Sequence, residues 1–167
     1  MNVIANTTVI SNFATVGRID LLHNLLTEVH ISTEVFSEIL DGITEGVEHY
    51  RGIEAHVYPL TPDGWLHLTP LQGDEELRIF NRFPSALHRG EASSLAIAAQ
   101  RRWVFLTDDF QARKAARSLG VSISGTLGVL IEAVKRALIS RDEADALLNQ
   151  MITAGYRSPH GTVSELL

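Results

Sequence analysis

Two adjacent carboxylates, Asp108 and Asp109, follow the short apolar run Trp103-Val104-Phe105-Leu106 and the hydroxyl residue Thr107. An apolar run of this length between polar residues is typical of a strand that is buried on both faces of a parallel sheet. Ligands of open α/β sheets bind beyond the carboxyl ends of such strands. We therefore expect Asp108 and Asp109 to line the functional crevice.

Three further polar residues have a comparable placement. Asn6 follows the first predicted strand, Glu38 lies on the flank of the apolar face of a predicted helix, and Glu91 begins a buried one. Carboxylate and amide oxygens are hard ligands suited to Mg²⁺ or Mn²⁺. Such a cation can generate a hydroxide nucleophile and stabilise an in-line phosphoryl transition state. One interpretation is therefore a metal site that cleaves phosphodiesters.

Each of these residues also has a purely structural interpretation. Glu91 can stabilise the positive end of its helix dipole, an effect worth roughly 0.3–1 kcal/mol. Either Asp108 or Asp109 can be the N-cap of the next helix, and Asn6 can be a cap as well. Glu38 can be an ordinary exposed helix acid. The spacing of the residues leaves both interpretations open.

The elements that must position these side chains alternate along the chain. Hydrophobic patterns predict helices that include residues 9–14, 19–26, 35–43, 74–83, 90–99, 110–119 and 126–138, with a last one from residue 141. Predicted strands cover residues 2–5, 28–31, 103–106 and 121–124, whereas 57–60 and 65–68 fit either strands or extended loop. Pro84 is expected to end the fourth helix. This alternation predicts a parallel α/β sheet in one domain, 1–167.

Composition excludes several classes of protein. The 167 residues include no cysteine, so disulfides and thiolate metal sites are excluded. No apolar run approaches the ~20 residues that span a bilayer. The first residues, MNVIANTT, lack the features of a secretion signal. We expect a cytoplasmic protein with no membrane contact.

Charge is distributed unevenly. The net charge is −6, yet residues 77–136 hold 10 of the 14 Lys and Arg residues and 4 of the 20 acids. A basic half of this kind can bind phosphate, with Arg89, Arg113 and Lys114 as candidates. The same residues can equally lie on solvated helix faces.

Two other kinds of site find no support. Neither GxGxxG nor GxxxxGK[ST] occurs, and the glycines in Gly125-Thr126-Leu127-Gly128 are better explained by a close turn than by nucleotide binding. The seven histidines show neither HxxxH nor HExxH spacing, so we interpret them as exposed or loop residues.

Four segments in order resemble the PIN-domain family: VIANTTVISNF, STEVFSEIL, GEASSLAIAA and FLTDDFQARKAARSLG. The segment GTLGVLIEA and a GYRSP tail are similar to those of a branch of PIN-like nucleic-acid-binding proteins. The resemblance thus extends over nearly the whole chain. No single motif is specific, but the ordered set is.

The resemblance implies a Rossmann-like, three-layer α/β/α domain with a central, mainly parallel sheet. It also implies an acid cluster that binds Mg²⁺ or Mn²⁺ and cleaves RNA. Glu38 and Glu91 match two of the family's acids, and the Thr-Asp-Asp segment matches the last acidic position, where Asp109 is preferred over Asp108 as the ligand. Many family members are toxins with an antitoxin partner and form homodimers. Apolar residues around Trp65 and on the helix 74–83 could face such a partner or pack in the core.

One position departs from the usual family pattern. PIN nucleases usually have Asp after the first strand, where this chain has Asn6. An amide oxygen can ligate a hard cation but brings no charge, so metal affinity should be lower. Thr7 and Thr8 match the small hydroxyl residues that follow and could orient a ligand or water. Two functions follow: a metal-dependent ribonuclease, or a catalytically weakened PIN-like binding or regulatory protein.

Overall fold

The computed structural model describes residues 1–83 and 85–167 and contains a six-stranded sheet. Every pair of neighbouring strands is parallel. The strands are β1 (Val3–Ala5), β2 (Val29–Ser32), β3 (Val57–Tyr58), β4 (Leu66–Thr69), β5 (Val104–Leu106) and β6 (Ile123–Ser124), in the spatial order β3-β4-β2-β1-β5-β6.

Several helices begin where a polar side chain satisfies free backbone N–H groups. Asn6, Ser32, Asp109 and Ser140 each accept a hydrogen bond from the backbone three residues ahead. The α-helices are α1 (Thr7–Thr15), α2 (Asp20–Leu26), α3 (Thr33–Thr44), α4 (Gly73–Arg82), α5 (Arg89–Arg101), α6 (Phe110–Ser118), α7 (Thr126–Lys135) and α8 (Arg141–Thr153).

The sheet separates two apolar cores, because successive strand residues point to opposite faces. In β1, Val3 and Ala5 pack into a core with α1, α2, α3, α7 and α8. Ile4, between them, packs into a second core with α5 and α6. Helices therefore cover both faces, and the predicted three-layer α/β/α fold with a parallel sheet is confirmed.

The direction of the strand order reverses at β1, which lies between β2 and β5. Crevices of open α/β sheets form at such a switch point, beyond the carboxyl ends of the strands. The backbone N–H of Asn6 donates to the carbonyl of Leu106, 3.0 Å away, so the residues after β1 and β5 are neighbours. This edge of the sheet positions the candidate site.

Several predicted boundaries needed correction. The weak signals at 57–60 and 65–68 are strands β3 and β4. The strand predicted over 121–124 is shorter, because the N–H of Val121 donates to Ala116 at the end of α6. The helix predicted over 126–138 ends at Lys135, and Ala137 has a φ of 57°, which a helix does not allow. The expectation for Pro84 lies outside the described residues.

Three apolar side chains also bear on the sequence predictions. Leu40 and Phe110 belong to the hydrophobic patterns that predict their helices, yet they are 41% and 70% exposed. Trp65 is buried and stacks on His23, so of its two expected environments the structure shows the core. No helix within the described residues is long and apolar enough to cross a membrane.

Candidate functional site

Asn6 joins the ends of the two central strands. Its side chain is 1% exposed, and its Nδ2 donates to Thr107 Oγ1, 2.8 Å away, across the switch point. Its Oδ1 accepts from the hydroxyl of Thr8 at 2.8 Å and from the N–H of Val9 at 3.4 Å. Asn6 is therefore the N-cap of α1 and holds β1 against β5. Both ends of its amide are engaged.

Glu38 connects three helices at the same edge. One carboxylate oxygen accepts from the N–H of Gly90 at 3.1 Å, and the other accepts from the hydroxyl of Thr7. A Cβ at position 90 would lie 2.7 Å from Glu38 Oε1, so glycine is what allows the carboxylate to approach α5. Glu38 thus lies over the start of α5, beside α1.

Glu91 is both a helix cap and a buried acid. Its carboxylate accepts from the N–H of His88 at 3.1 Å, which gives α5 a capping box, and the residue is only 8% exposed. Burial raises the pKa of Glu91, and the negative charges of Asp109 and Glu38 raise it further. Glu91 thus lies in the first turn of α5, where its charge can stabilise the positive end of the helix dipole. The charges of Glu38 and Asp109 thus both act on the Glu91 carboxyl.

Asp109 is the N-cap of α6. Its Oδ1 accepts from the N–H of Ala112 at 2.7 Å, and its own N–H donates to Thr107 Oγ1 at 3.2 Å. Its second oxygen accepts no hydrogen bond from the described residues. This oxygen is therefore available to a ligand, and the charge of the Asp109 carboxylate raises the pKa of Glu91.

Asp108 turns to a different set of partners. Its Oδ1 accepts from the N–H of Thr126 at 3.0 Å and from the hydroxyl of Tyr156 at 3.2 Å. Its Oδ2 accepts from the hydroxyl of Thr126 at 2.5 Å and from Asn12 Nδ2 at 3.2 Å. Burial, and then the charge of Asp108, raise the pKa of Tyr156, which therefore stays a hydrogen-bond donor. Asp108 ties α1, α7 and the C-terminal loop together.

The crevice has side-chain oxygens of the kind that bind a hard divalent cation, but they are not already arranged in a coordination geometry. Glu38, Glu91 and Asp109 offer carboxylate oxygens, and their mutual repulsion is the kind of potential that a cation relieves. Within residues 1–83 and 85–167, however, no group of three His, Asp or Glu side chains is arranged to hold a metal ion. Binding would require the three carboxylates to draw together.

The three predicted phosphate-binding residues have different surroundings. Arg89 is exposed, stacks over the ring of Phe80 at 5.4 Å, and lines a cavity with Glu38. Lys114 is exposed on α6. Arg113 is half-buried, and its Nη1 donates to the carbonyl oxygens of Thr107 and Ser124, at 2.8 and 3.3 Å. Arg89 and Lys114 are thus the more accessible cations.

Sequence reasoning missed four polar residues that organise the site: Thr107, Asn12, Thr126 and Tyr156. Thr107 is fully buried and connects Asn6 with Asp109. The other three surround Asp108. A usable signal existed for Thr107 and Thr126, since each lies just after a predicted strand. Asn12 and Tyr156 lie in a helix and a tail that give no such signal.

Comparison with known proteins gives one match. A family described as DUF3368, PIN domain, matches residues 2–167. Neither a curated protein nor a solved structure matches the chain significantly. PIN domains are generally nucleases, which supports a nuclease-type enzyme as the coarse class. The match covers nearly every residue and agrees with the resemblance and with the three-layer fold, and the chain therefore belongs to the DUF3368 family of PIN domains.

Proposed function

We propose that this protein is a metal-dependent endoribonuclease. The observation that carries the proposal is the position of Glu91, a buried acid whose pKa is raised by burial and by the charges of Asp109 and Glu38. These acids lie at the switch point of the sheet, where α/β proteins bind their ligands. Perturbed acids in a crevice are common at functional sites.

Glu38, Glu91 and Asp109 would hold the cation, Mg²⁺ or Mn²⁺, while Asn6 would serve as a neutral neighbour and Asp108 as an organiser of the surrounding loops. When bound, the cation supplies an activated water and neutralises the charge that develops on the phosphoryl group. The residues of the chain do the positioning. Thr7 orients the Glu38 carboxylate, and the N-terminal ends of α1, α5 and α6 present positive dipole ends to a phosphate at this edge.

The test is cleavage of RNA with Mn²⁺ or Mg²⁺ by the wild type and by the Glu91→Gln and Asp109→Asn variants. Glu54→Gln, at an exposed position on the short 3₁₀ helix Ile53–His56, is the matched control. We expect cleavage by the wild type and the control and its loss in both site variants. Cleavage by both variants at the wild-type rate would refute the site.

A second candidate function is binding or regulation without efficient catalysis, and Asn6 is the observation that favours it. The amide brings no charge, and both of its ends are already hydrogen-bonded. Titration calorimetry with Mn²⁺ separates the two functions. Weak or absent binding that Asn6→Asp restores supports the second function, whereas tight binding by the wild type supports the nuclease.

We propose, on the family resemblance, that the protein is the toxin of a toxin–antitoxin pair and forms a homodimer. Several large apolar side chains are exposed and are candidate contacts for a partner: Leu40, Tyr58, Leu60, Leu77, Phe110 and Leu138. Sedimentation of the purified chain tests the dimer. Co-expression with a small protein encoded beside it, and recovery of growth, test the antitoxin.

A further inference from the structure

A second cavity adjoins the acid crevice. It has a volume of about 380 Å³ and lies between α1, the residues around Asp108 and the loop that follows α8. Thr8 lines both this cavity and the crevice of Glu38 and Glu91, and Asp109 is also among the residues that line the cavity. A strand whose phosphate lies at the acids would therefore have this cavity within reach of the adjoining nucleotide. We name it the α1–tail cavity.

The lining of the α1–tail cavity suits a flat, neutral, hydrogen-bonding group. Ser11, Asn12 and His49 provide neutral polar atoms, whereas Met151 and Ala154 provide apolar contact. Most ligand pockets have about 300–1,000 Å³, mainly apolar walls and a few fixed polar groups. The volume of this cavity lies within that range, and one nucleobase would fit.

Asn12 has a defined orientation in this lining. Its Nδ2 donates to Asp108 Oδ2 at 3.2 Å and to Thr126 Oγ1 at 3.0 Å. Its Oδ1 accepts no hydrogen bond from the described residues, so it remains an acceptor for an N–H group on the edge of a base. Ser11 and His49 hold each other through a hydrogen bond of 2.9 Å. The polar groups are thus positioned before any ligand arrives.

Electrostatics disfavours a phosphate inside the cavity. Asp108 and Asp109 both line it, and a phosphate beside them would be repelled. The one cation among the lining residues, Arg157, is exposed. A neutral base inside, with its phosphate outside toward the acids, satisfies both constraints.

We propose that the α1–tail cavity binds a nucleobase of the RNA strand that is cleaved at the acid crevice, and so sets base preference. This inference rests on the proposed function for the presence of a nucleic acid strand. Because a base that is paired and stacked in a helix cannot enter a pocket, single-stranded RNA is the implied substrate.

The experiment compares binding of the four nucleoside 5′-monophosphates with binding of ribose 5-phosphate, which lacks a base. Calorimetry is run on the wild type and on Ala154→Leu and Thr15→Leu, which fill the cavity from two exposed lining positions, one directly after α8 and one in α1. Thr153→Leu, exposed on α8 and outside the lining, is the control. We expect at least one nucleotide to bind wild type and control at least about tenfold tighter than ribose 5-phosphate. Both filling variants should lose that difference.

Equal binding of nucleotides and ribose 5-phosphate by the wild type would overturn the inference. So would a preference that survives in both filling variants while they remain folded by circular dichroism. These results are separable from the proposed function. Nucleotide preference without RNA cleavage refutes the nuclease and keeps the cavity, whereas cleavage without base preference refutes the cavity alone.

Discussion

Asp108 and Asp109 are neighbours in the chain but have different tasks at the end of β5. The Asp109 side chain caps α6 and has one oxygen that accepts no hydrogen bond from the described residues, whereas Asp108 uses both oxygens to hold Thr126, Asn12 and Tyr156. A residue that is already fully hydrogen-bonded is a poor metal ligand. This difference favours Asp109 over Asp108 as a ligand in the proposed metal site and gives Asp108 a structural role.

Substitution of each acid should therefore affect a different property. Asp108→Ala leaves the buried Thr126 and the half-buried Asn12 and Tyr156 without this acceptor, at roughly 1–3 kcal/mol for a fully buried group, so we expect about 3 kcal/mol less unfolding free energy in urea. Asp109→Asn keeps an equivalent cap, so stability should change by less than about 0.5 kcal/mol. RNA cleavage should nevertheless fall at least about tenfold. Similar losses of stability in both variants would contradict this division.

Glu91→Gln should stabilise the metal-free protein at neutral pH. Glutamine retains the capping box and removes the charge that burial, Asp109 and Glu38 disfavour. Because the folded-state pKa of Glu91 is raised, protonated Glu91 contributes to the stability of the wild type. That contribution is fully present below the unfolded pKa and is lost as pH rises through the folded-state pKa. The gain in unfolding free energy should therefore grow from about pH 4 upward, measured in EDTA. A variant less stable than the wild type at pH 7 would contradict this.

The sequence predicts that the site residues lie at one edge of the sheet, but it does not predict which hydrogen bonds each of them makes. Asn6 and Asp109 follow buried strands, and parallel strands bring their carboxyl ends to one edge. Which of two adjacent acids faces the crevice depends on partners 18 and 48 residues further along, Thr126 and Tyr156. A local pattern contains no information on those contacts.

At the scale of elements, the start of α5 positions Glu38. Gly90 donates its N–H to the Glu38 carboxylate, and an added Cβ would lie 2.7 Å from that oxygen. Gly90→Ala should displace the flexible Glu38 side chain and leave the helix intact, since alanine is the better helix former. We expect weaker Mn²⁺ binding by calorimetry at unchanged or higher unfolding free energy. Gly161→Ala, where a Cβ contacts nothing, should alter neither.

An ion pair fixes α4 to α5. Arg101 donates to both oxygens of Glu76 at 2.7 and 3.0 Å, and the Glu76 side chain is 3% exposed. Burial alone would raise the pKa of Glu76, but hydrogen bonds from Arg101 and from the N–H of Gln72 lower it overall. With a lowered folded-state pKa, the stabilisation is present above the unfolded value and is lost as pH falls through the folded one.

Glu76→Gln should consequently reduce the unfolding free energy by about 1.5–3 kcal/mol at pH 7, the range for hydrogen bonds to charged groups. The difference from the wild type should vanish in acid, below the folded-state pKa. Glu75→Gln is the control, because its pair with Arg78 is exposed and should contribute less than about 1 kcal/mol. Equal losses of unfolding free energy in the two variants would show that the buried pair stabilises the fold no more than the exposed pair does.

Elements differ in how well the sequence predicts them. β1, β2 and β5 are buried apolar runs in the middle of the sheet and were found to within one residue at each end. β3 has only two residues and lies at the edge of the sheet, and β4 interleaves its two leucines with His67 and Thr69, so neither presents a continuous apolar run. Leu40 and Phe110 match helical patterns yet face solvent, because a helical pattern does not show whether another element of the fold covers that residue.

At the scale of the whole molecule, basic residues that are clustered in the sequence are also clustered on a few helices of the fold. Eight of the 14 basic residues lie between Gly73 and Ser118, the stretch that contains α4, α5 and α6. Arg78 and Arg101 are paired with acids, whereas Arg89, at the start of α5 beside Glu38, and Lys114, on α6, are exposed. An RNA strand at the acids would meet these cations despite the net charge of −6.

The salt dependence of RNA affinity should therefore show whether Arg89 and Lys114 contact phosphates. Each phosphate contact with a single strand contributes a slope of about −0.7 to a plot of log affinity against log salt concentration. Arg89→Ala and Lys114→Ala should each make the slope shallower by about 0.7, measured by fluorescence anisotropy with a single-stranded oligonucleotide in EDTA. Lys135→Ala is the control, because this exposed lysine ends α7 at the opposite edge of the sheet. If Lys135→Ala changes the slope as much as Arg89→Ala and Lys114→Ala do, the strand is held by the general charge of the surface, and the crevice edge has no special part in binding.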